Sequence, residues 1–172
     1  MVYRSARHDP RKAPSVAATD LTTPPLNFPR AYDFTTRTVD GRREILDGLR
    51  RQYVVLTPEE WVRQNLVQFL VQDMDYPRGL IAIEHSLEVH GQLHRADLVV
   101  YDREGQPLRL AECKEPEVAI SQSTFDQIAR YNRTLRARYL LISNGLQHYC
   151  YAIERDKAEY RFLERLPRYD DL

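Results

Sequence analysis

Residues 76–116 read "YPRGLIAIEHSLEVHGQLHRADLVVYDREGQPLRLAECKEP", and no other stretch limits the fold as much. Three apolar runs, roughly 80–89, 95–102 and 108–114, are separated by "HGQL" and "REGQP". Glycine in those connections supplies the backbone freedom that tight turns need, so the runs predict an antiparallel meander. Such a sheet needs an apolar layer against it, and the flanking segments offer one on each side. In "LTPEEWVRQNLVQFLVQDM" (56–74), Thr57 can cap, Pro58 suits the first helical position and Glu60 stands at the third position of a capping box. Val62, Leu66, Phe69 and Leu70 then repeat at helical spacing. "SQSTFDQIARYNRTLRA" (121–137) predicts a second helix, with Ser121 and Ser123 as caps and Phe125, Ile128, Ala129 and Leu135 on its apolar face. "RYLLISNGLQHYCYAIE" adds two strands around Asn144-Gly145, and a last short strand runs through 160–163. A helix between the third and fourth strands implies a crossover that makes those two parallel. The expected class is α/β: a mixed central sheet flanked by helices in the order α-β-β-β-α-β.

The remainder of the chain is less regular. Residues 1–30 carry five of the ten prolines and show neither period, so they are expected to be an extended or disordered head. Residues 31–55 predict a hairpin-like lead-in, two short runs turning at Asp40-Gly41. Residues 56–172 form the expected main domain. With 25 basic against 25 acidic residues there is no global field for nucleic acid, so any such contact must come from a local patch. No apolar stretch is long enough to span a membrane and no apolar leader is visible, which points to a cytoplasmic location. Cys113 and Cys150 are the only cysteines and sit in apolar runs, as reduced core thiols do.

Charge intrudes at the end of the third run. Glu112 and Lys114 alternate with Cys113, so they share a face. Asp97 precedes the apolar part of the second run. It lies five residues before Asp102, and Glu112 lies five after Pro107, so pairing through the turn makes Asp97 and Glu112 neighbours. Two close carboxylates repel, and a hard divalent cation relieves the repulsion. A lysine beside them can steady a hydroxide or a developing phosphate charge, which suits metal-assisted hydrolysis of a phosphodiester. An ordinary solvated ion pair at a strand end is the competing reading of the same residues.

"TPEEWVRQ", "YPRGLIAIE", "RADLVVYD", "AECK", "QIARYN" and "SNGLQHYCY", in that order, resemble the N-terminal nuclease domain of type I restriction enzyme R proteins, a member of the PD-(D/E)XK phosphodiesterase superfamily. The resemblance covers roughly 56–166. It implies a restriction-endonuclease-like core and Mg2+-dependent DNA cleavage, with Mn2+ able to substitute. Asp97 and Glu112 would be the carboxylate ligands, Glu60 would complete the metal shell, and Lys114 would position or activate the attacking water. Gln127 and Tyr131 match the family's Q-x-x-x-Y motif, and their i, i+4 spacing puts them on one face, where they would support the site or touch DNA. Glu84 is a weaker second candidate acid. Ala96 stands where the motif has proline, a departure that does not touch the ligands. There is no GxxxxGK[ST] loop and hence no ATP site, so the expectation is a stand-alone version working alone, as a homodimer or in a larger restriction or defence assembly. A non-catalytic DNA- or protein-binding module that retains the fold is the alternative.

Other features carry less. Arg130 and Arg133, with Arg136 and Arg138 beyond, could bind DNA phosphates, or form a solvated face with an Asp126–Arg130 pair. The histidines are scattered, and Ser143 has no evident triad partners. Eleven tyrosines could stack bases, although tyrosine in strands is usually half-buried sheet.

Overall fold

The computed structural model describes residues 23–89, 91–154 and 159–172. The expected sequence of elements is present. Helix α1 (Pro58–Gln72) precedes strands β4 (Ile81–Val89), β5 (Gln92–Tyr101) and β6 (Pro107–Cys113). Helix α2 (Gln122–Leu135) then leads to β7 (Tyr139–Ser143), β8 (His148–Glu154) and β9 (Glu159–Leu163). These six strands form one sheet in sequence order. Only the β6–β7 pair is parallel, because α2 carries the chain back between them.

The helices cover opposite faces. Val62, Leu66, Phe69 and Leu70 of α1 pack on Leu98, Val100, Leu108, Ala111, Cys113, Leu141 and Cys150. Full burial of each such α1 side chain is worth about 1.5–3 kcal/mol. On the other face, Ile128 and Tyr131 of α2 pack on Val99, Leu110, Leu140 and Ile142. Thr57 caps α1 by accepting the Glu60 N–H at 3.1 Å. The Glu60 carboxylate does not close the expected capping box. It accepts instead from Arg63 and from Gln64 Nε2, the latter at 2.7 Å.

Alternation along β4 and β5 breaks at one level. Glu84 has φ +50°, a left-handed backbone that a non-glycine strand residue rarely adopts. Pairing runs through Ile83–Leu98 and resumes at His85–Ala96, so Glu84 and Asp97 face each other at a gap in the ladder. Before the gap, Ile81, Ile83, Leu98 and Val100 join the α1 core. Beyond it, Leu87, Val89 and Ala96 join the α2 core. The hairpin arm thus changes faces at Asp97.

The lead-in contains the hairpin turning at Asp40-Gly41, formed by β1 (Thr36–Val39) and β2 (Arg42–Asp47), and adds a third strand, β3 (Gln52–Val55). The third strand follows a turn where Arg51 has φ +55° and its N–H donates to the Asp47 carbonyl. Of the proline-rich head, residues 1–22 lie outside the described residues, and 23–30 form a strap without helix or strand. Leu26 and Phe28 pack on the α1 core, Asn27 N–H donates to the Gly145 carbonyl at 2.7 Å, and Trp61 Nε1 donates to Pro24 O at 3.0 Å.

Candidate active site

The site lies where β5, β6 and α2 meet. Register Leu98–Ala111 on β5 and β6, continued one step, sets Asp97 opposite Glu112. The ladder stops there, and Asp97 fills the gap: its Oδ2 accepts the Cys113 N–H at 2.6 Å. Glu112 is 4% exposed. Its Oε1 accepts from Lys114 Nζ at 2.9 Å and from Gln127 Nε2 at 2.7 Å. Gln127 also donates to Tyr131 Oη at 3.3 Å, so one face of α2 braces the carboxylate. Glu112 Oε2 is buried and receives no hydrogen bond.

The electrostatics match that geometry. Burial and the Glu112 charge push the Asp97 carboxyl up from 3.8 to about 7, against the pull of the Cys113 N–H. Burial also raises Glu112, and its bonds to Lys114 and Gln127 offset only part of this. Burial disfavours the Lys114 charge, but the Glu112 bond and charge outweigh it, so its pKa rises and it is held as a cation. Glu59 acts on Asp97, Glu112 and Lys114 alike.

Glu59 is the acid that sequence reasoning missed. The expected helix acid, Glu60, shares a cleft of about 410 Å3 with Glu59, Glu84 and Asp97, but its two oxygens are engaged by Arg63 and Gln64. Glu84 is likewise committed, to Arg50 at 2.9 Å and to Arg63 and Arg95 at 3.2 Å each. Among the described residues no three His, Cys, Asp or Glu side chains come together as a ready-made metal cluster. A divalent cation nevertheless fits the donor set. Asp97 and Glu112 offer hard oxygen ligands, one buried oxygen has no donor, and both carboxyls are destabilised as anions in its absence.

The remaining candidates separate from this centre. Arg130 and Arg133 are exposed on α2. Asp126 accepts from Gln122 Nε2 at 2.8 Å, not from Arg130 as expected. Ser143 Oγ meets His148 Nδ1 at 2.8 Å, but the other ring nitrogen meets a backbone carbonyl and no acid among the described residues completes a triad. That pair is a structural clamp. Ser143 is fully buried, His148 is held below its ordinary pKa by burial, and its Nε2 meets the strap carbonyl of Asn27 at 3.0 Å. Cys113 and Cys150 are buried free thiols, as expected.

A six-stranded mixed sheet between two helices, with an acid pair and a lysine at a break in it, defines a restriction-endonuclease-like α/β domain. Residues 58–167 match the family model described as type I restriction enzyme R protein N terminus (HSDR_N), and the chain belongs to that family. Its fold is also that of a fragment of a protein assigned as the HsdR subunit of a type I restriction enzyme from Vibrio vulnificus YJ016. That match has a TM-score of 0.50 and 19% identity over 66% of this chain. The chain spans 24% of that structure. No curated protein matches it.

Proposed function

We propose that this chain is a Mg2+-dependent deoxyribonuclease, with Asp97 and Glu112 holding the ion and Glu59 completing the acidic environment. The observation that carries the reading is the buried Glu112 Oε2, which has no donor although its partner oxygen has two. A carboxylate kept dry and half-paired beside a second carboxylate costs stability unless a cation completes it. Bound there, the ion supplies Lewis-acid charge at the scissile phosphate.

The protein's own groups do the rest. The ammonium of Lys114 sits at the edge of the carboxylate pair, where it orients the attacking water and offsets charge building on the phosphate. As a held cation it donates and does not act as the base. In-line attack forms a bond from the water oxygen to phosphorus and breaks the bond to the 3′ oxygen. The water gives up a proton and the leaving oxygen gains one, leaving a 5′ phosphate and a 3′ hydroxyl. Gln127 fixes the Glu112 rotamer, and Tyr131 holds Gln127. Family membership supports a place in a larger restriction assembly acting on DNA.

The test is cleavage of plasmid and single-stranded DNA with magnesium, with manganese and with EDTA. Metal-dependent cutting should fall by about a thousandfold or more in Asp97→Ala and Lys114→Ala, the scale of losing a key charge-stabilising group. Undiminished cutting by Asp97→Ala would remove the assignment. The absence of a three-acid cluster among the described residues favours a second reading, a module that binds DNA without cutting. That reading requires a folded wild type that never cleaves.

A further inference from the structure

Beside the carboxylates, the α2 face of the sheet ends in aromatic rings. Glu112 pairs with Ile142 on β7, and Ile142 with Tyr149 on β8, so all three share a face along one row. Glu112 and Tyr149 are therefore two strand spacings apart, about 10 Å. The next row runs through Tyr151 to Phe162 on the edge strand β9. Phe125 from α2 closes on Tyr151 and Tyr160, each with centroids 5.0 Å apart, while Phe162 lies 5.7 Å from Tyr151 and 6.4 Å from Tyr149. Five rings thus form one connected shelf. Tyr160 is 42% and Phe162 45% exposed.

Four of the rings, Phe125, Tyr149, Tyr151 and Tyr160, line a groove of about 460 Å3 that Ile142, the pairing partner of Glu112, also lines. A second groove of about 300 Å3 shares Tyr160 and carries Arg133 and Arg136 on its wall. The path runs from acid pair to aromatic shelf to arginines. The two exposed large hydrophobics of β9 are both rings, and the exposed Arg161 stands between them in sequence. Rings next to guanidinium groups are what an unpaired base and its phosphate require, because every base offers a π face and stacking tolerates any sequence. Bases inside a duplex are already stacked and cannot use such a shelf.

We propose that this shelf stacks the bases of single-stranded DNA, making a single-stranded segment beside the carboxylates the preferred substrate of the site. The inference deepens the nuclease reading and rests on it for the position of the scissile phosphate. The experiment measures fluorescence anisotropy of one labelled oligonucleotide, single-stranded and in duplex, in EDTA. Wild type binds the single strand more tightly than the duplex. Phe162→Ala and Tyr160→Ala each weaken single-strand binding roughly five- to hundredfold, the range for losing one stacked base. Phe162→Tyr and Tyr160→Phe retain it, which separates lost stacking from damage to the edge strand. Wild-type affinity in both alanine variants, a wild type that ignores the single strand, or tighter binding of an RNA of the same sequence overturns the proposal. So does loss of self-association in the alanine variants, read by sedimentation, with DNA binding unchanged; the shelf would then serve a second copy of the chain. Because binding is read without metal, a failure of the nuclease reading shows separately, as wild-type cleavage by Asp97→Ala.

Discussion

Strand β6 buries two opposite charges three residues apart, and the chain treats them differently. Arg109 is wholly buried and has no carboxylate partner among the described residues. Its guanidinium lies 5.5 Å from the Tyr76 ring centre and 5.3 Å from that of Tyr139, and Nη1 donates to Cys150 Sγ at 3.2 Å. Two ring faces and a sulfur give it soft, permanent neighbours, while its Nε and Nη2 are buried without an acceptor. Glu112 is almost as buried, but it has hard donors on one oxygen and nothing on the other. Both charges therefore keep buried polar atoms without a hydrogen-bond partner. What sets Glu112 apart is its setting: a second carboxylate, Asp97, lies opposite it at the break in the sheet. An unpaired buried atom points to a ligand only where a second ligating group stands beside it.

The comparison can be broken most strongly at the arginine. Arg109→Ala should destabilise the protein by about 3–5 kcal/mol, since it opens a cavity between Tyr76 and Tyr139, measured as a lowered denaturant midpoint. Arg109→Met keeps the volume and discards the charge, so it should cost less than about 1.5 kcal/mol. A larger methionine penalty would show that the charge itself matters to the fold.

At the other end the sign reverses. Glu112→Gln in EDTA should stabilise the protein by about 1 kcal/mol, because it removes a buried anion that the metal-free fold disfavours. Magnesium should raise the melting temperature of the wild type and leave that of this variant unmoved. A destabilised variant would mean that Glu112 serves the fold, like Arg109.

A pH series sharpens the same point. The Asp97 carboxyl, ordinarily near 3.8, is raised to about 7 by burial and by Glu112. Between those values the folded protein holds a proton that the unfolded chain has lost. Its contribution is therefore complete below pH 3.8 and disappears as pH rises through about 7. In EDTA this loss should be visible in urea melts and flattened in Asp97→Asn. The smallest expected effect is at Tyr76→Phe. It keeps the ring beside Arg109 and loses only the hydroxyl bond to Pro167 O, about 1 kcal/mol in the same melts.

Much of this arrangement is legible in the chain itself. The meander, the second helix and the setting of Asp97 opposite Glu112 follow from signals that lie within a few residues: alternation, glycine turns and loop length. What escapes is decided across longer distances. Glu59 and Glu60 are neighbours about 100° apart on α1, and both read as first-turn acids. Arg63 and Gln64, at i+3 and i+4, are local partners that the spacing already offers Glu60; only the tertiary setting shows that Glu59 shares the cleft with Asp97. The break at Glu84 has no glycine to announce it; three arginines gather around its carboxylate. The strap at 23–30 reads as extended or disordered, and its prolines hide the two anchors, Leu26 and Phe28.

That strap bears on how the molecule should be cut for study. A Cβ at Gly145, where φ is +81°, would come within 2.7 Å of Leu26 and 3.0 Å of Val62. The turn between β7 and β8, the first helix and the strap are thus moulded around one missing methyl group. An expression boundary drawn at residue 58, where the family match begins, would remove Leu26 and Phe28 and leave an apolar notch beside the Ser143–His148 clamp. The smallest piece worth expressing begins before Pro24.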